Sequence, residues 1–178
     1  VDGLFAAGDA SGASSHKFSS GSHTEGRIAG KQAIKYILEK GQEPKVDMAK
    51  VEELKKAILN PLDLFEANKD EFTDPEVNTH YIMPRQFLHR LQKIMDEYAG
   101  GVTAAFKTSK ANLDRAIELM GMLKEDSVNQ AARDLHELTR CWENIQRMWI
   151  AESHVRTLLF REETRWPGYY FRADTPKM

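Results

Sequence analysis

Val1-Asp-Gly-Leu-Phe-Ala-Ala-Gly-Asp-Ala-Ser-Gly-Ala-Ser-Ser-His-Lys-Phe-Ser-Ser-Gly-Ser-His-Thr-Glu-Gly-Arg-Ile-Ala-Gly30 opens the chain, and everything after it is read against this stretch. The short apolar run 4–7, closed by Gly8-Asp9, reads as the end of a buried strand. A tract rich in Gly, Ser and Ala follows. Ser22-x-x-Glu25 then forms a capping-box signature, with Ser22 as N-cap and Glu25 at N3. Gly26, Gly30 and Ala33 share one side of the helix this predicts, so that side can approach a backbone or a flat ligand closely. Strand end, small-residue loop and capped helix together make a seat for an anion or nucleotide. The helix start offers N–H groups and a positive dipole end, and Asp9 can accept hydrogen bonds from ligand hydroxyls. A plain tight turn in an α/β protein would read the same way. The stretch is neither a Gly-x-Gly-x-x-Gly fingerprint nor a Walker A loop.

Downstream the pattern becomes helical. A first helix runs from about residue 22 to 40, with Ala29, Ala33, Ile34, Ile37 and Leu38 at helical spacing and Gly41 as its natural stop. A linker containing Pro44 leads to a second helix, about 48–60, that Pro61 is expected to end; Leu62 to Phe65 can add a turn. Residues 66–84, broken by Pro75 and Pro84, read as a surface crossing that lies against a partner or another part of the protein. Three further helices follow. The first, about 85–98, carries Phe87, Leu88, Leu91, Ile94, Met95 and Tyr98. The next, capped by Ser109, carries Leu113, Ile117, Met120 and Leu123. The last, about 129–163, carries Leu135, Leu138, Trp142, Ile145, Trp149 and Leu159, widened by Ala131, Ala132, Met148 and Val155. Short joints between apolar stripes predict a three-helix antiparallel bundle, with Trp142 and Trp149 facing inward. The fold class expected is thus mainly α: the edge of an α/β domain followed by a helical bundle.

The 178 residues carry 25 basic and 27 acidic side chains, a formal charge of -2. That balance argues against a general nucleic-acid binder. The single cysteine, Cys141, permits no internal disulfide and no cysteine-ligated iron–sulfur cluster from this chain alone; a free thiol fits a reducing, cytoplasmic setting. No apolar stretch is long enough to span a membrane, and no signal peptide is visible. Because it opens on Val in what reads as a strand, the chain is expected to be a piece of a longer protein.

The groups with chemistry to offer sit in the first loop. His16 can donate, accept or shuttle a proton near neutral pH, and Lys17 offers a point charge to phosphate, sulfate or carboxylate. A turn-capping histidine and a solvated lysine would look alike. His80, His89, His136 and His154 are scattered, no spacing resembles a metal site, and no Gly-x-Ser-x-Gly nucleophile appears. The tail is dense in aromatics and arginines, Arg161-Glu-Glu-Thr-Arg-Trp-Pro-Gly-Tyr-Tyr-Phe-Arg172. It either packs on the bundle or lines a cleft or subunit interface.

Gly3-Leu-Phe-Ala-Ala-Gly-Asp9 resembles the last flavin-binding segment of the fumarate reductase and succinate dehydrogenase flavoprotein family. Ser14-Ser-His-Lys-Phe-Ser-Ser-Gly-Ser22 resembles, within that family, the alpha subunits of dissimilatory adenylylsulfate reductases. Pro61-Leu-Asp-Leu-Phe65, Arg90-Leu-Gln-Lys-Ile-Met-Asp-Glu-Tyr-Ala-Gly-Gly101, Asp134-Leu-His-Glu-Leu138 and the tail resemble the same subunits. Glu163-Thr-Arg165 and Arg172-Ala-Asp174 resemble the Glu-Ser-Arg-Gly-x-x-x-Arg-x-Asp region of the broader family, with several inserted or changed residues between them. The resemblance implies the C-terminal part of a flavoenzyme that reduces adenylyl sulfate to sulfite and AMP, in some organisms in reverse. It implies FAD, incompletely held here by Asp9 and by Ser19, Ser20, Gly21, Ser22 and Glu25. It makes His16 and Lys17 the catalytic candidates and places Arg165, Trp166 and Arg172 toward substrate or an interface. Its partners would be the rest of the flavoprotein subunit and a ferredoxin-like beta subunit holding the iron–sulfur clusters. Domain bounds on this reading are 1–42 for the end of the FAD-binding domain, 43–84 for a linker, 85–163 for the bundle and 164–178 for the tail. Two other classes are an oxidoreductase of dicarboxylates, which would carry arginine at position 17 and Gly-Gly at 19–20, and a non-catalytic helical interaction domain.

Overall fold

Long stretches of good helix formers separated by Gly, Pro and Ser make this chain mainly helical, and the computed structural model describes residues 2–11, 18–41, 45–71, 74–165 and 170–175. It divides into two units, Val1–Met48 and Ala49–Met178.

The first unit is one helix, α1 (Ser19–Lys40), and the segment that runs back along it. α1 ends as expected at Gly41, which adopts φ 60° and gives its N–H to Ile37 O. Along the helix, Asp2 pairs with Lys40 at 2.9 Å and Phe5 meets Tyr36 edge-to-face at 6.1 Å. Two expectations are corrected here. Residues 4–7 form no strand: Ala7 is extended (φ -148°, ψ 158°), but no second strand among the described residues offers a ladder. The capping box at Ser22 does not form either, because α1 begins at Ser19, so the Ser22 N–H is already bonded within the helix to Phe18 O. α1 buries none of its residues, and Ile28, Ile34, Ile37 and Leu38 stand exposed.

In the second unit α2 (Met48–Asn68) runs straight through Pro61. Proline removes one helical N–H and opens the carbonyls a turn earlier. One of those carbonyls finds an outside partner, the Trp142 indole N–H bonding Ile58 O at 3.0 Å, and Pro61 O additionally accepts the Ala132 N–H at 2.9 Å. Residues 69–71 and 74–83 are irregular. They pack on this unit itself, with Tyr81 and Met83 buried beside Phe65 and Ala131, and Tyr81 Oη donates to Pro75 O at 2.8 Å.

The expected bundle forms from α3 (Pro84–Tyr98), α4 (Lys110–Asp126) and α5 (Leu135–Arg161). Phe87, Leu91 and Ile94 meet Leu113, Ala116, Met120 and Leu123, and both meet Met148, Ala151, Val155 and Leu158. Full burial of side chains such as Phe87, Leu113, Leu123 and Val155 stabilises the fold by about 1.5–3 kcal/mol each. Ser109 caps α4 by accepting the Asn112 N–H.

α5 is shorter than its sequence pattern suggests. It starts at Leu135, where Asp134 accepts the Glu137 N–H at 2.8 Å. Residues 127–129 form a 3₁₀ turn, Gln130 is extended, and the Ala131 and Ala132 N–H groups bond Ile82 O and Pro61 O. The buried stripe is also rotated: it is Leu138, Cys141, Asn144, Met148, Ala151, Val155 and Leu158. Trp149 is 52 % exposed and Phe160 88 %, while Trp142 is half-buried against Leu59 and Leu62. Small residues on the inner face allow close approach, and Asn144 is tolerated there because its amide donates to Pro84 O at 2.8 Å and to Gln130 Oε1 at 3.0 Å.

Two short strands close the unit, β1 (Lys107–Thr108) and β2 (Phe171–Arg172), paired in parallel. The loop before β1 turns tightly, with Ala105 and Phe106 both at positive φ. It folds back on Asp96, whose carboxylate accepts the Thr103 N–H at 3.1 Å. Thr103, through its hydroxyl first and this N–H second, holds the Asp96 carboxyl below the usual range.

Candidate functional site

The loop proposed from sequence is built on Gly8. Its φ of +65° disfavours any residue with a Cβ, and a Cβ would also lie 3.3 Å from Ser22 Oγ. The buried Gly8 starts a 3₁₀ turn, Gly8–Ala10, closed by Ser11 N–H to Gly8 O at 2.9 Å. The turn leaves Asp9 exposed to solvent. It is tethered from α1: Glu25 Oε2 accepts the Gly8 N–H at 2.8 Å. Glu25 is therefore turned toward the segment before the loop, in place of the N-cap bond that its spacing from Ser22 suggests.

The start of α1 is electropositive by construction. Its N-cap, Phe18, makes no side-chain cap bond, and the first turn holds no acid. The N–H groups of Ser19, Ser20 and Gly21 have no intrahelical acceptor, as in any first turn, and carry the positive end of a 22-residue helix. Ser19 and Ser20 are exposed, and Gly21 and Ser22 half-buried. One element thus presents hydrogen-bond donors and another an exposed carboxylate. That set suits a ligand with both phosphate and hydroxyl groups, such as the pyrophosphate and ribityl chain of a flavin dinucleotide. His16 and Lys17 lie outside the described residues.

The tail candidates separate. Arg172 is 1 % exposed. Its guanidinium donates to Leu158 O near the end of α5 and forms a two-pronged pair with Asp174, Nε to Oδ1 at 3.0 Å and Nη2 to Oδ2 at 2.7 Å. Asp174 Oδ2 also accepts the Lys110 N–H at 3.1 Å, at the start of α4. The guanidinium beside it, aided by that N–H, holds the Asp174 carboxyl down at about 2. Thr164 completes the clamp, accepting the Arg172 N–H at 3.0 Å. Arg172's donors are thus engaged inside the unit. Arg165 pairs with Glu163 at 2.9 Å and bridges to Tyr170 through both backbone groups, with its side chain exposed to solvent. Trp166 lies outside the described residues.

Sequence reasoning missed the Glu25–Gly8 tether and the Arg172–Asp174 clamp. The clamp did leave a signal, an arginine and an aspartate two positions apart, with Arg172 ending β2 and Asp174 in the turn that follows. A groove of the second unit, about 1340 Å³ between α3 and α5, is lined by Leu88 and Met95 together with Arg85, Arg140, Arg147 and His154. Asp9, Ser19 to Ser22, Glu25, Arg165 and Arg172 are not among its lining residues. Cys141 is buried, and burial pushes its thiol up to about 12, so it is not a nucleophile at neutral pH. Among the described residues no group of three metal-ligating side chains occurs, and no helix is long and apolar enough to cross a membrane.

No protein-family model matches the chain. It is 51 % identical over 174 residues to the adenylylsulfate reductase subunit alpha of Megalodesulfovibrio gigas, a match covering 98 % of this chain and 26 % of that protein. Among solved structures, adenylylsulfate reductase from the hyperthermophilic Archaeoglobus fulgidus is 57 % identical with a TM-score of 0.91, over 98 % of this chain and 27 % of that one. An adenosine-5-phosphosulfate reductase in complex with sulfite as a covalent adduct matches with the same figures. The Mycobacterium smegmatis Sdh1 complex in the apo form is 25 % identical with a TM-score of 0.69, over 99 % of this chain and 28 % of that one. The chain spans about a quarter of the length of the relatives it matches. Continuous identity above one half, on a superposable backbone, places this chain in the adenylylsulfate reductase alpha-subunit family.

Proposed function

We propose that the protein containing this chain is a flavoenzyme that reduces adenylyl sulfate to sulfite and AMP, and that this chain alone is an incomplete, inactive part of it. The observation that carries the reading is the 57 % identity, along 98 % of the chain, to a reductase of this name solved with sulfite. FAD, when bound, supplies the two-electron redox chemistry. This chain's residues would hold one side of it, with Asp9 accepting from hydroxyl groups and the first turn of α1, Ser19 to Ser22, facing anionic oxygens. Lys17 would supply positive charge toward the sulfate, and His16 would stabilise or protonate oxygen as the bond between sulfur and AMP breaks and AMP leaves. Lysine at 17, where enzymes acting on dicarboxylates carry arginine, favours this substrate over fumarate or succinate. Arg172 and Asp174 would act on the fold that holds Arg165, with no contact to substrate. A ferredoxin-like beta subunit bearing iron–sulfur clusters would deliver the electrons. The buried free thiol of Cys141 fits a cytoplasmic, reducing setting.

The test is anaerobic oxidation of reduced methyl viologen by the full-length protein after adenylyl sulfate is added. Consumption of dye with release of sulfite, weakened at least tenfold by Lys17→Ala, is expected. Turnover of fumarate with none of adenylyl sulfate would overturn the assignment.

A further inference from the structure

Glu25 was singled out as a cofactor ligand, but its Oε2 is directed at the protein. It reaches 17 positions back along the chain to the Gly8 N–H, at 2.8 Å. We infer that Glu25 is a positioning residue: from α1 it locks the Gly8–Ala10 turn, and so fixes Asp9 relative to the electropositive start of the same helix. The inference rests on the reading of Asp9 as a flavin-binding group.

The geometry explains why a lock is needed. Gly8 has the widest backbone freedom of any residue type and sits at φ +65°, immediately before Asp9. The turn itself is closed by the Ser11 N–H donating to Gly8 O. Asp9 is exposed, so burial does not fix it. The tether joins the residue before Asp9 to the second turn of α1, whose first turn presents the N–H groups. Carboxylate and donors are thereby set on one frame before any ligand arrives. Without the tether the competent arrangement is only part of the population, and apparent affinity falls by that fraction. An acceptor oxygen at the right reach is what the tether requires. Glutamine keeps it, alanine lacks it, and aspartate keeps the charge on a stem one methylene too short.

The experiment titrates FAD into the deflavinated full-length protein and follows flavin fluorescence, with thermal unfolding of each variant in parallel. Asp9→Asn and Glu25→Ala are each expected to weaken FAD binding about tenfold, with Glu25→Asp close to Glu25→Ala and Glu25→Gln within about threefold of the unaltered protein. Glu25→Ala added to Asp9→Asn is expected to cost little more, because the lock then has nothing to hold in place. The inference is overturned if Glu25→Asp binds FAD as tightly as the unaltered protein. It is overturned equally if the two losses multiply to about a hundredfold, which a merely structural role for Glu25 would give. If Asp9→Asn leaves FAD affinity unchanged, the flavin role of Asp9 itself falls, and this inference with it.

Discussion

Replacing Asp174 with asparagine tests the clamp that closes the second unit. The substitution keeps the shape and one acceptor oxygen but removes the charge beside the buried Arg172 guanidinium. Arg172 holds the Asp174 carboxyl at about 2, against an ordinary value of 3.8. At about 1.4 kcal/mol for each tenfold change in proton affinity, this difference caps the contribution at about 2.5 kcal/mol. The Asp174 side chain is 33 % exposed, so solvent screening brings the expected loss at pH 7 to about 1–2 kcal/mol. The sign follows from proton binding. A carboxyl with a lower value in the folded state takes up its proton first when unfolded, so its contribution is complete above about pH 5, falls to about half by pH 3 and vanishes below about pH 2. Urea unfolding of the chain, followed by far-ultraviolet circular dichroism at pH 7 and pH 3, measures both quantities. Asp174→Asn should unfold at lower urea at pH 7, with the gap roughly halved at pH 3. Equal midpoints at pH 7, or a gap that does not shrink on acidification, would refute the electrostatic account of the clamp.

Two further outcomes are expected from local geometry. A Cβ on Gly101 would lie 2.4 Å from the Asp96 Cα, a backbone clash, whereas one on Gly121 within α4 meets nothing within 4 Å. Gly101→Ala should destabilise by about 1–3 kcal/mol and Gly121→Ala should stabilise by about 0.5–1 kcal/mol in the same urea assay. The Cys141 thiol should stay unreactive toward an aromatic disulfide at pH 8 in the native chain and react stoichiometrically once urea unfolds it; fast reaction under native conditions would contradict its burial.

The bundle was legible because local and global signals agree there. Pro84 starts α3, Ser109 caps α4, and the apolar residues of both helices fall on one face. α5 was harder, since it carries two apolar stripes. The bulky one, with Leu135, Trp142 and Trp149, dominates a sequence reading, while the one that is buried includes Cys141, Asn144 and Ala151. Asn144 can sit in the core only because Gln130 and Pro84 O come to meet it, a long-range fact that no periodicity encodes. Pro61 misled for the same reason: the Trp142 indole, which bonds a carbonyl a turn before it, is distant in sequence. In the first loop Gly8 takes the positive φ that a glycine invites, and Asp9 stands exposed. The capping reading of Glu25 failed because two N-terminal signals overlap, and the helix begins at the earlier serine.

The clamp also bears on the order in which the chain can fold. Lys110 and Asp174 are 64 positions apart, so α3 and α4 leave the ribosome long before the residues that secure the start of α4. A nascent bundle must wait, held by local caps and hydrophobic contacts, until β2 arrives beside β1. Parallel pairing over such a separation closes slowly relative to helix formation. Stalling or truncation shortly before Phe171 would therefore leave three formed helices with the end of α5 unfastened and Thr108 lacking its neighbouring strand, a species recognisable to quality-control proteases though most of its core is in place.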